Sequence, residues 1–290
     1  MQPTPSSLIA VDIGNSTIRA GKFSWTALPN TAEPLQVGQW QAQSLDGLLE
    51  WVGDPPADWV ISSVNRPAAE LLTKWHETHR KSDSFYLLQH WDVPLRIDLE
   101  KPDRVGMDRL VAAVAANKLR TSQQAMIIVD AGSAITVDAL SAEGSFLGGA
   151  ILPGVGIAAE SLHHRTDQLP DVQQAAPVLG FIGGGSEPDG TATSSTTAID
   201  LPPVVGKSTE AAIRSGLVWG TVGAVRYLIH KMSESFDQAP EVIFAGGDAH
   251  LLAPFINPEP RRFPDLVLRG IALTANHRRR VSVETGSESP

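Results

Sequence analysis

Short runs of apolar and β-branched residues alternate along the chain with stretches in which apolar residues recur every three or four positions. Four runs predict buried strands, and they are LIAV before Asp12, WVISSV at 59–64, MIIV before Asp130 and EVIFA before Gly246. Helical spacing between them predicts helices over 68–79, 107–118, 157–163 and 209–232. Strands that alternate with helices predict an α/β fold.

One segment is repeated in the two halves of the chain. IAVDIGNSTIRAGKF and IIVDAGSAITVDAL share a hydrophobic strand, an aspartate, a glycine two positions later, small hydroxyl residues and a second strand. This duplication predicts two similar domains, over 1–122 and 123–278, whose hairpins face each other across a cleft. The Gly-, Ser- and Thr-rich stretch near 180–200 is interpreted as a flexible insert, and 279–290 as a polar tail.

Composition excludes several classes of function. With 23 basic and 32 acidic residues the formal charge is -9, which disfavours nucleic acid as a partner. The chain has no cysteine, so disulfides, thiolate zinc sites and cysteine nucleophiles are excluded, in keeping with a reducing cytoplasm. No apolar run approaches a membrane-spanning length. We therefore expect a cytoplasmic protein that binds neither nucleic acid nor membrane.

The repeated hairpins are candidate phosphate-binding elements. A strand-end carboxylate can hold a hydrated Mg²⁺ ion, and glycine beside hydroxyl residues lets backbone N–H groups approach phosphate oxygens. The alternative is an ordinary turn with local hydrogen bonds. The second copy favours the phosphate-binding interpretation. The residues concerned are Asp12, Gly14, Asn15, Ser16 and Thr17 in the first hairpin, and Asp130, Gly132, Ser133 and Thr136 in the second.

Two further motifs carry possible chemistry. In GMDR at 106–109, Asp108 and Arg109 stand at a predicted helix start, where they could accept a proton and hold a carboxylate, or could merely interact with the helix dipole and solvent. GKST at 206–209 is not a phosphate-binding P-loop, because Leu201 stands where that motif needs glycine. Ser208 or Thr209 is expected to cap the following helix.

Seven motifs together resemble the type III pantothenate kinases, in the order of that family and from about Leu8 to Leu273: VDIGNST, VISSV, VGMDR, VDAGSAITVD, GGAILPG, GKST and AGGDA. The resemblance implies two RNase H-like domains of the actin-like ATPase fold. It also implies ATP with Mg²⁺, activation by K⁺ or NH₄⁺, and a homodimer whose pantothenate site is completed at the interface.

The resemblance implies a role for each matching residue. Asp108 would be the base that activates the hydroxyl of pantothenate, and Asp130 would coordinate the monovalent cation. Leu99 stands near the place of a tyrosine that usually precedes the substrate loop. The remaining roles are ATP binding by Asp12, Ile13, Gly14, Asn15, Ser16, Thr17, Ile18, Arg19 and Ser133, and pantothenate binding by Gly106, Met107, Asp108, Arg109 and Thr209.

Two alternatives remain at this point. The chain could be another kinase or phosphatase of the same superfamily, acting on a sugar, acetate or polyphosphate, or a non-catalytic regulatory homologue. GMDR and GKST favour pantothenate over the first alternative. Intact Asp12, Asp108 and Asp130 favour an enzyme over the second.

Overall fold

A computed structural model of the chain describes residues 7–28, 32–121, 123–172 and 201–285. The chain packs as two compact units. The first comprises Met1–Gln123, Glu143–Leu147 and Asp265–Pro290, and the second comprises Gln124–Ala142 and Gly148–Pro264. The insert predicted near 180–200 lies outside the described residues, as do 286–290 of the predicted tail.

The first unit contains a mixed five-stranded sheet of order β3-β2-β1-β4-β5. Strand β1 pairs antiparallel with β2 and parallel with β4. Alternate residues of β1, including Ile9 and Val11, are buried on one face beside Trp59 of β4. The strands are β1 (Ser7–Ile13), β2 (Thr17–Ser24), β3 (Gln36–Gln41), β4 (Ala57–Ser63) and β5 (Ser84–Leu87).

Three helices of the first unit follow the strands in sequence: α1 (Leu48–Val52), α2 (Arg66–His79) and α3 (Met107–Leu119). Helix α2 buries Leu72 against the sheet. Helix α3 has Leu110 and Val111 fully buried, because apolar residues occupy most of its surface. Short 3₁₀ turns lie at His90–Asp92 and Pro102–Arg104.

The second unit repeats the topology of the first. Its sheet has the order β10-β9-β6-β7-β8, in which β6 pairs antiparallel with β7 and parallel with β9. The strands of this sheet are β6 (Met126–Ala131), β7 (Ala134–Leu140), β8 (Phe146–Pro153), β9 (Glu241–Ala245) and β10 (Arg261–Arg262). The helices of the second unit are α4 (Val155–His164), α5 (Thr209–Ser233) and α6 (Ala249–Leu252), with a 3₁₀ turn at Ala253–Phe255. The duplication predicted from the two hairpin sequences is therefore confirmed.

The C-terminal helix α7 (Leu266–Thr285) belongs to the first unit, whereas the prediction included its residues up to 278 in the second domain, 123–278. Leu268 and Ile271 are fully buried in this packing. The predicted polar tail is also helical as far as Thr285. Arg279 of this segment has a partner, since its guanidinium lies 4.8 Å from the ring centre of Trp25.

The predicted strands and helices are confirmed, with helix limits that differ by one or two residues from the sequence pattern. Within the described ranges, no helix combines the length and the apolar character needed to cross a membrane.

Candidate active site

The first hairpin turns tightly between β1 and β2. The backbone N–H of Gly14 donates to the carbonyl of Thr17 at 2.9 Å, and a Cβ added at Gly14 would lie 3.3 Å from that oxygen. Asn15 and Ser16 are exposed at the tip. Ile13 and Ile18 are buried in the core, so only their backbone groups are available to a ligand.

Two charged residues of the hairpin have defined positions. Asp12 is half-buried at the end of β1, where it is in register with Arg19 of β2 and with Ser62 of β4. The guanidinium of Arg19 donates to Asp265 at 2.7 Å, and both side chains are largely shielded from solvent. Arg19 is thus held by an ion pair beside the strand-end carboxylate.

The GMDR segment forms the start of α3, as predicted. The carboxylate oxygen Oδ1 of Asp108 accepts a hydrogen bond from the backbone N–H of Arg109 at 2.8 Å. A Cβ at Gly106 would lie 2.5 Å from the same oxygen, so only glycine leaves room for this carboxylate. Burial raises the pKa of Asp108, while the N–H and positive charge of Arg109 act in the opposite direction.

Val64 joins the first hairpin to the start of α3. Its backbone N–H donates to the carbonyl of Ile13 at 3.0 Å, and its Cγ1 lies 3.6 Å from where a Cβ of Gly106 would be. The structure therefore brings together the end of β1 and the segment that carries Asp108.

Phe146 supports the side chain of Arg109. The guanidinium carbon lies 5.6 Å from the centre of the Phe146 ring, which is fully buried. The Phe146 backbone is fixed by hydrogen bonds with Arg96 and Asp98, at 2.8 and 2.9 Å. Met107, the apolar residue of the GMDR segment, is buried at the start of α3. Sequence reasoning missed Phe146, because no local pattern indicates its contact with Arg109.

The second hairpin is held by the glycine-rich segment that follows it. Gly154 donates from its N–H to the carbonyl of Ser133 at 3.0 Å. A Cβ at Gly154 would overlap the carbonyls of Gly132 and Ser133. The side chain of Ser133 is exposed at the turn. Glycine at this position of the GGAILPG segment therefore allows the two backbones to approach closely.

Two carboxylates lie close together at the ends of the neighbouring strands β6 and β9. The pKa of Asp248 is raised to about 7, first by burial and second by the negative charge of Asp130. Gly246, with φ +84°, leaves space for Asp130, because a Cβ there would lie 2.5 Å from its Oδ1. The N–H of Asp248 donates to the carbonyl of Ala131 at 3.0 Å. The AGGDA motif was recognised in the sequence, but no role was assigned to its carboxylate.

Thr209 is the first residue of α5, and it is exposed. The hydroxyl of Ser208 accepts a hydrogen bond from the N–H of Ala211 at 3.1 Å, which confirms the predicted cap. Gly206 packs against the first turn of this helix so closely that a Cβ would overlap the backbone of Ala212.

A sequence model of the type III pantothenate kinase family matches residues 8–231. The chain belongs to this family. The type III pantothenate kinase of Rhodospirillum rubrum is 33% identical over 282 residues, covering 94% of this chain and 98% of that protein. The family member from Chlorobium luteolum is 31% identical over 279 residues, with 92% and 93% covered.

The architecture agrees with family membership. The crystal structure of the ethanolamine utilization protein EutJ from Carboxydothermus hydrogenoformans superposes with a TM-score of 0.50, at 14% identity, and covers 94% of this chain and 92% of that one. At this identity the likeness concerns the fold alone. The likeness extends over both mixed five-stranded sheets, which have the same topology.

Proposed function

We propose that this type III pantothenate kinase transfers the terminal phosphoryl group of ATP to the hydroxyl of pantothenate, which forms 4'-phosphopantothenate for coenzyme A biosynthesis. The observation that carries the proposal is the family match, because it spans Asp12, Asp108, Asp130 and Thr209 in one continuous range.

Both hairpins are assigned to ATP. Around the first turn, from Asp12 to Arg19, backbone N–H groups and the hydroxyls of Ser16 and Thr17 would bind phosphate oxygens. Ser133 would bind from the second hairpin. The residues fit such a ligand, since the first turn is tight, glycine-containing and exposed at its tip. Mg²⁺ bound with ATP would neutralise phosphate charge, and Asp12 is a suitable carboxylate for its hydration shell.

Asp108 is assigned as the base that accepts the proton of the pantothenate hydroxyl. Its carboxylate is largely buried, and the N–H of Arg109 donates a hydrogen bond that orients it. The proton-accepting group is therefore held in place. Arg109 would bind the carboxylate of pantothenate, with its guanidinium placed by Phe146. Gly106, Met107 and Thr209 complete the assigned pantothenate contacts.

The direct test of the reaction class is ADP release by the purified chain with Mg²⁺–ATP and different acceptors. We expect release with pantothenate and only background release with glucose, acetate or no acceptor. Release with a sugar or acetate instead would assign the chain to another activity of the superfamily. Background release with every acceptor would favour a non-catalytic homologue.

A monovalent cation, K⁺ or NH₄⁺, is assigned to Asp130. The carboxylates of Asp130 and Asp248 concentrate negative charge at the ends of β6 and β9, and a cation there would offset their repulsion. Bound there, the cation would supply neutralisation of negative charge. Carboxylate oxygens are suitable ligands for hard cations.

Replacing Na⁺ by K⁺ or NH₄⁺ should raise the rate of pantothenate phosphorylation severalfold, and Asp130→Ala should remove the difference between the salts. The matched control is Asp237→Ala, which removes an exposed carboxylate of the same unit. The cation assignment is wrong if the wild-type chain turns over equally fast in all three chlorides at constant ionic strength.

The proposed homodimer has a candidate interface on α5. Its exposed residues include a stripe of small side chains at Gly216, Gly220 and Gly223. Among the described residues, nothing lies within 4 Å of a Cβ added at any of the three. Each glycine costs a helix about 1 kcal/mol relative to alanine, so packing within the described chain does not explain them. Close approach of a second copy would account for glycine at these three positions.

Gly220→Leu should convert a dimer into a monomer in sedimentation analysis and lower kcat/KM for pantothenate, because the partner completes the pantothenate site. Arg226→Leu is the control, since it adds the same side chain to an exposed position of α5 beside the stripe. If this surface of α5 contacts no second copy, Gly220→Leu should sediment with the same mass as wild type. It should also be more stable, because leucine is a better helix former than glycine.

A further inference from the structure

The carbonyl groups around the first turn are all bound to the protein. The carbonyls of Ile13 and Ser16 each accept a backbone hydrogen bond at 3.0 Å, from Val64 and Ala42. The carbonyls of Gly14 and Asn15 instead accept hydrogen bonds from a side chain. Both are contacted by Nδ2 of Asn65, at 3.4 and 3.2 Å.

These two bonds fix the direction of two peptide groups. A trans peptide is planar, and its C=O and N–H point in opposite directions. When the carbonyls of Gly14 and Asn15 point towards Asn65, the N–H groups of Asn15 and Ser16 point away from it. Successive N–H groups that face the same way form a binding site for anions such as phosphate.

Asn65 is itself anchored by the element that follows β4. Its Oδ1 accepts a hydrogen bond from the N–H of Ala68 at 3.2 Å and thereby caps α2. Its own N–H donates to the hydroxyl of Ser63 at 3.1 Å. One end of the amide is thus fixed to a 14-residue helix, while the other end holds the turn.

We propose that Asn65 is a positioning residue for ATP, which holds the peptide groups 14–15 and 15–16 with their N–H groups directed towards the phosphates. This rests on the proposed function only in assigning the turn to ATP. Without the Nδ2 bonds, either peptide can rotate and present its carbonyl oxygen to the anion. Repulsion between that oxygen and phosphate weakens ATP binding, whereas Asp108 and Arg109 keep their positions.

Asn65→Ser separates the two roles of the side chain. Serine is an effective helix cap, but its hydroxyl is too short to reach the turn. We expect the KM for ATP to rise about tenfold, the effect of losing two hydrogen bonds of ordinary strength. The kcat at saturating ATP and the KM for pantothenate should stay within about twofold of wild type, and the melting temperature should change little. Asn65→Asp provides a second variant, because it keeps the capping Oδ1 and loses the donor.

Calorimetric binding of a non-hydrolysable ATP analogue with Mg²⁺ gives a second readout that does not require turnover. A tenfold weaker affinity in both variants supports the proposal even if wild type fails to phosphorylate pantothenate, which would contradict the proposed function alone. An unchanged nucleotide affinity in either folded variant overturns the role of Asn65 alone. A wild-type chain that does not bind the analogue overturns both.

Discussion

Replacing Asp108 by asparagine should lower kcat at least about a hundredfold, while pantothenate affinity measured by calorimetry changes little. A primary alcohol is a poor nucleophile, and a carboxylate within hydrogen-bond reach can accept its proton as the bond to phosphorus forms. Asparagine keeps the size of the side chain and can still accept the hydrogen bond from Arg109, but it cannot take the proton.

The pH profile adds a second test of the same residue. Burial raises the pKa of Asp108 above its ordinary value of about 3.9, and the base must be ionised to act. Activity should therefore rise with pH through that raised pKa and then level off. Asp108→Asn should lose this acidic limb together with the rate.

Stability separates the catalytic role from a purely structural one. A folded-state pKa raised above the unfolded value means that ionisation of Asp108 costs stability as pH rises through this window. At neutral pH, Asp108→Asn should therefore leave the melting temperature unchanged or slightly higher. If Asp108 only stabilised the helix dipole, its replacement would cost up to about 1 kcal/mol of stability and leave turnover nearly intact.

Gly270→Ala should lower the melting temperature by roughly 6–12 °C, corresponding to about 3 kcal/mol. Gly270 lies in α7 where it crosses α3, and a Cβ there would overlap the backbone carbonyl of Val111. A backbone group cannot rotate away as a side chain can, so the helices must separate. Because Val111 lies one turn beyond Asp108, the same shift should misplace the base and reduce kcat.

Gly247→Ala is the control for this substitution, since no described atom lies within 4 Å of a Cβ at Gly247. Its melting temperature should stay close to that of wild type. A Gly270→Ala variant as stable and active as the control would show that α3 and α7 do not constrain each other.

Local sequence patterns predicted the helices and strands, and with them the candidate site residues that lie at strand ends or helix starts. Asp12 and Asp130 follow buried strands, and Asp108 begins a helix, so sequence periodicity was sufficient to place each of them. The match between the two hairpins also predicted the repeated sheet topology.

Contacts between distant segments could not be predicted in the same way. The helical periodicity of α7 can be recognised in its own sequence, but that sequence does not indicate that the helix packs in the first unit. The segment from residue 279 was interpreted as a polar tail because the partner of Arg279 is far away in sequence. The Arg279 guanidinium lies 4.8 Å from the ring centre of Trp25. The contact of Phe146 with Arg109 and that of Asn65 with the first turn also join segments that are distant in sequence.

Identification of the product shows whether the chain phosphorylates pantothenate. The purified chain, incubated with pantothenate, Mg²⁺–ATP and K⁺, should form ADP and 4'-phosphopantothenate in equal amounts by mass spectrometry and ³¹P NMR. Asp108→Asn, assayed at the same concentration, should form almost none. ADP without phosphorylated pantothenate, or no reaction in the wild-type chain, would contradict the account.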